Sequence, residues 1–218
     1  MTFISLGGHC ELAASMAAIG ARDTALPFDY VRSRFDGVIE CIDNDFATFF
    51  PKMIRPEQIG PWLAFRGKNI GFYHHDLQDP TVIQTFRRRM DRFKEILMGQ
   101  DKVIFVRTIS SQLIAEEINM IPMFHDVMNR KFPNLNYILG MVILNQATFK
   151  HVLTPNSKTA ILTVGPHVSD DLSKRCIPVL TYLKQYFNFL PKRLGFDYRN
   201  LQNLDMRVEG VEALDFNN

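Results

Sequence analysis

Thr2-Phe3-Ile4-Ser5-Leu6-Gly7-Gly8-His9-Cys10-Glu11-Leu12 decides the fold, because it passes from an apolar run through two glycines into residues spaced like a helix. Leu12, Met16 and Ile19 recur on one helical face, and Gly20 follows where a left-handed glycine ends a helix. Strand, tight turn and helix in that order make a βα unit, and the rest of the chain repeats it. Beside Thr2 to Leu6, strands are expected at Asn69 to Tyr73, Lys102 to Val106, Tyr137 to Leu144 and Thr159 to Val164. Their alternation with helical segments predicts an α/β fold: a single domain over residues 1–218, with a mostly parallel, Rossmann-like sheet flanked by helices.

The strongest helical signal runs from Asp79 to Met98. Asp79 can cap, Pro80 suits the first helical position, Val82, Phe86, Met90, Phe93 and Leu97 form a stripe, and Gly99 stops it. Arg34 to Phe50 and Leu113 to Lys131 are also expected to be helical, the second kinked at Pro122, and Ser169 to Leu190 to bend near Pro178. Pro51 to Lys68, with the only tryptophan, Trp62, reads as a loop or lid. Pro191 to Asn218 shows no regular period.

Of 218 residues 46% are hydrophobic and 22% charged, which excludes disordered and low-complexity architectures. A net charge of +2 gives no global field for nucleic acid or for an anionic membrane, so neither is expected as a partner. No apolar run is long enough to span a bilayer. The apolar start lacks the basic flank of a signal peptide and reads as the first core strand. Three cysteines, Cys10, Cys41 and Cys176, leave one unpaired in any disulfide scheme and match no zinc spacing, so a reducing, cytoplasmic setting without metal or cofactor is expected.

Ligands of open α/β sheets bind beyond the carboxyl ends of the strands. Gly7, Gly8, His9 and Cys10, His74 to Asp76, Arg107 to Ser111 and Gly165 to His167 should therefore gather there. Cys10 falls at a helix N-terminus, where the dipole favours a thiolate, and a neighbouring imidazolium would favour it further. It equally fits a small apolar residue closing helix on sheet. His74 or His75 can serve as its base, with Asp76 as orienter, or the three can begin a loop and cap the next helix. Gly7-Gly8 can cradle phosphate on backbone N–H groups, although the longer glycine patterns are missing. Arg88 and Arg92, one helical turn apart, suit phosphate or form a solvated surface. Arg107 ends an apolar run and is either aimed at a ligand or buried and paired, with Asp29 the candidate partner.

Taken together, Ser5-Leu6-Gly7-Gly8-His9-Cys10, Leu26-Pro27-Phe28-Asp29-Tyr30, His75-Asp76, Arg88-Arg89 to Arg92-Phe93 and Ile104-Phe105-Val106-Arg107 resemble, in that order, a family of bacteria and large DNA viruses. It is the domain of unknown function numbered 1796, labelled as papain-like cysteine peptidases. The resemblance covers about the first half of the chain and implies Cys10 as nucleophile and His75 as base, with Asp76 beside it. Tyr30 stands where the pattern leads one to expect tryptophan. A papain-like fold packs a helical lobe on an antiparallel barrel, whereas this sequence reads as βα repeats with parallel-type strands.

The function expected is thus a thiol-dependent hydrolase or acyl transferase: Cys10 attacks, His75 moves the proton and Asp76 orients it. A nucleotide-sugar glycosyltransferase, binding a diphosphate through the Gly7-Gly8 turn and the arginines, is the alternative from another class, and a non-catalytic binding protein is a third; the expected ligand-binding residues are Gly7, Gly8, His9, Asp29, Arg88, Arg92, Arg107 and His167. The expected partner is a small-molecule, peptide or sugar-nucleotide substrate, and the sequence does not read out an oligomeric state.

Overall fold

The computed structural model describes residues 1–109, 113–144, 150–153, 158–164, 174 and 176–188. In chain order its first half contains β1 (Thr2–Ser5), α1 (Cys10–Ala18), β2 (Arg32–Ser33), α2 (Phe35–Asp43), β3 (Pro56–Ile59), β4 (Trp62–Arg66), β5 (Ile70–Phe72) and α3 (Pro80–Met98). There follow β6 (Val103–Ile109), α4 (Ile114–Asn119), α5 (Ile121–Lys131), β7 (Tyr137–Ile143), β8 (Lys150–Leu153), β9 (Thr159–Thr163) and α6 (Ile177–Asn188).

The main sheet has the order β1-β6-β7-β9-β8, with β1, β6, β7 and β9 parallel and β8 antiparallel at the edge. Its parallel strands are largely apolar on both faces, as a sheet covered by helices on either side requires. Ile104 and Val106 join Leu12 and Met16 of α1 and Val179 and Leu180 of α6 on one face. Val103 and Phe105 point the other way, into a larger core with Val38 of α2, Phe86 and Phe93 of α3 and Phe124 of α5. The fold class expected from the sequence is the one observed: α/β, mostly parallel.

One strand sits elsewhere. Asn69 to Tyr73 was expected as a parallel neighbour of the first strand, but β5 lies in a second, antiparallel sheet of order β2-β5-β4-β3. Parallel pairing needs a crossover of a dozen residues or more. Only Gly67, Lys68 and Asn69 separate β5 from β4, so the two pair as a hairpin, and β3 and β4 turn the expected loop or lid into strands. Ile70, Phe65 and Phe72 nevertheless bury into the same core as the main sheet.

Helix ends follow local chemistry. Asp79 Oδ1 accepts the Thr81 N–H at 2.8 Å, Pro80 opens α3, and Phe86, Met90, Phe93 and Leu97 are its buried stripe, as the spacing predicts. The kink at Pro122 is a full break between α4 and α5. Helix α2 is shorter than expected, and the left-handed Asp45 and Phe46 follow just beyond its end. Pro178 stands as the second residue of α6, and residues 169–173, 175, 189 and 190 of that expectation lie outside the described ones.

Candidate functional site

The Gly7-Gly8 turn is built to a single shape. Both glycines have positive φ, 75° and 98°. A Cβ on Gly7 would come 2.4 Å from Ser33 Oγ, and one on Gly8 would come 2.2 Å from the Thr108 carbonyl oxygen. Side chains also engage the amides of the turn. Gly7 N–H donates to Ser5 Oγ at 3.1 Å, Gly8 N–H to Ser33 Oγ at 3.2 Å and His9 N–H to Thr108 Oγ1 at 3.0 Å. These are the donors on which a phosphate cradle would depend, so Gly7 and Gly8 set the path of the loop while their N–H groups are occupied within the protein.

The turn delivers Cys10 as the first residue of α1, at the carboxyl end of β1. Cys10 is half-buried, whereas Cys41 and Cys176 are buried in the core. Burial pushes the Cys41 thiol up to about 12. His9 precedes α1 as its cap residue without a side-chain capping bond. Burial first, then the charges of Arg107 and Arg32, hold its imidazole down to about 4. It is neutral at neutral pH and so offers no imidazolium beside the sulfur.

Arg107 lies within β6, buried, and every N–H of its guanidinium has an acceptor. Nε and Nη2 form a two-pronged bond to Glu117 at 3.0 and 2.6 Å, Nη1 donates to Leu6 O at 3.0 Å and Ser33 Oγ at 2.8 Å, and Nη2 also reaches Ser33 O at 2.6 Å. The expected Arg107–Asp29 pair is therefore replaced by Arg107–Glu117, and no donor remains for a ligand. Arg107 instead ties β6, α4, β2 and the residue before Gly7 into one knot. The sequence reading missed Ser33 and Glu117; the only signal for Glu117 was its place beside Ile118 at the buried spacing of a helix.

Asp29 is buried and turns inward on its own segment, accepting the Leu26 N–H at 2.9 Å and lying 3.7 Å from Arg22 Nε. Burial raises its carboxyl above the usual range, against the pull of Leu26 N–H, Arg22 and Arg89. Phe28, beside it, anchors the phenylalanine cluster, with ring centroids 5.8 Å from Phe46, 5.9 Å from Phe49 and 5.8 Å from Phe93.

His75 follows β5, half-buried, its ring edge-on to Phe86 at 4.9 Å and its Nε2 buried without a hydrogen-bond partner. Burial, then Arg89 and His74, lower its pKa to about 4. Asp76 is exposed and accepts the Gln78 N–H at 2.9 Å, so it shapes the turn into α3, and Phe86 is what fixes the His75 ring. Among the described residues Cys10 and His75 share no hydrogen bond. Arg88 is exposed and bonds Thr85, while Arg92 reaches Thr24 and the Arg88 carbonyl. The arginine that leans inward beside Arg92 is Arg89, one helical turn earlier, which the sequence reading named in the family motif without giving it a role. His167, Ser110, Ser111 and Gly165 lie outside the described residues.

No group of side chains among the described residues could hold a metal ion, and no described helix is long and apolar enough to cross a membrane. A groove of about 710 Å³ opens against the second sheet, lined by Glu40, Thr48, Arg55, Glu57, Arg66 and Asn69 among others, and none of the expected site residues lines it.

A family model described as "Putative papain-like cysteine peptidase" (DUF1796) matches residues 1–147, which include Cys10, His75, Asp76 and Arg107. The chain belongs to that family. It is also similar to the uncharacterized protein R408 of Acanthamoeba polyphaga mimivirus, 26% identical over 134 residues that cover 48% of this chain and 60% of that protein. The similarity supports the link to large DNA viruses, and the chain spans less than two thirds of this relative's length. No solved structure matches the chain significantly.

Proposed function

We propose that the protein is a thiol-dependent hydrolase or acyl transferase with Cys10 as nucleophile and His75 as base, acting on an ester, amide or peptide. The observation that carries this reading is Cys10 itself: a solvent-reachable thiol opening a helix at the carboxyl end of a parallel strand, behind a turn locked by Ser5, Ser33 and Thr108. In the reaction Cys10 Sγ bonds to the substrate carbonyl carbon while its proton passes to His75. The proton then goes to the leaving nitrogen or oxygen as that bond breaks, and water or another acceptor releases the acyl group from sulfur. The N-terminal dipole of α1 favours the negative charge that develops beside it.

His75 enters this scheme unprotonated, because burial and Arg89 keep it neutral well below pH 7. The reading is accordingly general-base catalysis and not a preformed thiolate–imidazolium pair. The nucleotide-sugar alternative drew on Arg107 and the Gly7 and Gly8 amides, and their engagement inside the protein removes that support.

Iodoacetamide labelling of the folded protein at neutral pH tests the proposal. Cys10 is expected to label ahead of the buried Cys41 and Cys176, and His75→Gln to slow it about tenfold or more. Labelling of Cys10 at an unchanged rate in folded His75→Gln and His75→Ala proteins would overturn the assignment of the base.

A further inference from the structure

Arg22, Asp29, Tyr30, His75, Arg89 and Arg92 form a second centre drawn from the segment after α1, the turn after β5, and α3. The Arg22 guanidinium lies 5.1 Å over the Tyr30 ring and 3.7 Å from Asp29. Arg89 lies 4.8 Å over Phe86, the same ring that His75 meets edge-on at 4.9 Å. Arg89 is also within electrostatic reach of Asp29, Arg22 and Arg92. Arg22 and Arg89 therefore face the Asp29 carboxylate, and Arg92 beside Arg89 brings the local charge of the group to +2 with His75 neutral.

Hydrogen bonding in this centre is incomplete. Among the described residues, Arg22 Nη1, Arg89 Nη1 and His75 Nε2 are each buried without a hydrogen-bond partner. A buried donor on a cation is costly to leave unpaired, and two guanidinium nitrogens in one neighbourhood call for an acceptor that the described residues do not supply. A small anion rich in acceptor oxygens would satisfy both guanidiniums at once and offset their charge.

We propose that this centre binds a phosphoryl group, as free phosphate or as the phosphate of a monoester. A dianion balances the +2 charge, its oxygens are acceptors for both guanidiniums, and arginine matches phosphate by both geometry and charge. A carboxylate is the poorer fit, since Asp29 already presents one to Arg22 and leaves Nη1 unpaired. The site is separate from the proposed thiol chemistry of Cys10 in all but one residue. His75 belongs to both, but phosphate binding involves no reaction and is read separately.

The test is calorimetric titration of inorganic phosphate into the full chain. Saturable binding at one site is expected, weakened about tenfold or more by Arg22→Gln and by Arg89→Gln, and unchanged in Arg88→Gln and Cys10→Ser. Arg89→Lys, which keeps the charge and loses the fork, is expected to weaken binding as well and serves if Arg89→Gln does not fold. Phenyl phosphate binding more tightly than phosphate assigns the site to a monoester, and weaker binding assigns it to the free ion. Absence of phosphate binding by the folded wild-type chain, equal affinity for acetate, or equal losses in Arg88→Gln and Arg89→Gln would overturn the proposal.

Discussion

Arg107 and Arg89 sit in the same half of the molecule, and each faces a buried or half-buried acid, yet they are resolved in opposite ways. Arg107 has an acceptor for each of its N–H groups, from Glu117, Ser33 and Leu6. Arg89 shares Asp29 with Arg22 and keeps a buried Nη1 without a partner among the described residues, as Arg22 does. A guanidinium completed by the protein is a fastener, because any ligand would have to displace a bond already made. One left incomplete is a receptor. The contrast also separates the geometry of the thiol loop, which Arg107 holds shut, from the chemistry of recognition, which it cannot perform.

The largest effect should come from breaking the completed centre. Arg107→Ala leaves Glu117 buried and uncompensated, and Glu117→Ala leaves Arg107 so, each expected to cost about 3 to 5 kcal/mol in urea unfolding. The matched replacement Arg107→Met with Glu117→Leu is expected to cost much less than either single change, since no isolated charge remains. Single-variant losses below about 1 kcal/mol would show that water reaches the pair and that the loop is not held by it.

The sequence displayed much of this molecule, and the limits are physical. The strands of the main sheet were legible because their residues are apolar on both faces, and α3 because cap, stripe and terminal glycine agree along one segment. The placement of β5 was not: a short strand reads the same in either sheet, and only its close connection to β4 dictates antiparallel pairing. Cys10 was found from its position after a strand and two glycines. The partner of Arg107 was missed because a buried arginine announces the need for a carboxylate without saying which, and Asp29 and Glu117 are equally plausible on the page. Arg89 was hidden in a run of arginines whose inward member depends on the exact rotation of α3 against Arg22.

Gly8 gives an intermediate effect that tests the same locked loop from the backbone side. Gly8→Ala combines φ of 98° with a Cβ 2.2 Å from the Thr108 carbonyl, a backbone atom that cannot swing away. Gly20→Ala has φ of 63° but nothing within 4 Å of the added carbon. Gly20→Ala should therefore cost about 1 to 2 kcal/mol, the left-handed penalty alone. Gly8→Ala should exceed it by about 1 to 3 kcal/mol, the overpacking term, and should alter Cys10 labelling as the turn shifts. Equal costs for the two variants would mean the turn relaxes freely and positions Cys10 loosely.

The smallest expected change is at Arg89, and its smallness is what sharpens the comparison. Arg89→Gln removes a cation–π contact with Phe86 and an attraction to Asp29, both losses. It also removes an unpaired buried donor and the repulsion among Arg22, Arg89 and Arg92, both gains. Because the residue is only half-buried, each contribution is screened by solvent, and the sum should lie within about 1 kcal/mol of zero in phosphate-free buffer. The balance should shift when phosphate is present: the wild-type chain gains stability by about 2.7 kcal/mol at a hundred times its dissociation constant, and Arg89→Gln gains much less at the same concentration. Urea midpoints for both proteins, with and without phosphate, check this directly. A loss near that of Arg107→Ala without phosphate would mean that Arg89 is a fastener too, with acceptors of its own, and the distinction between the two centres would disappear.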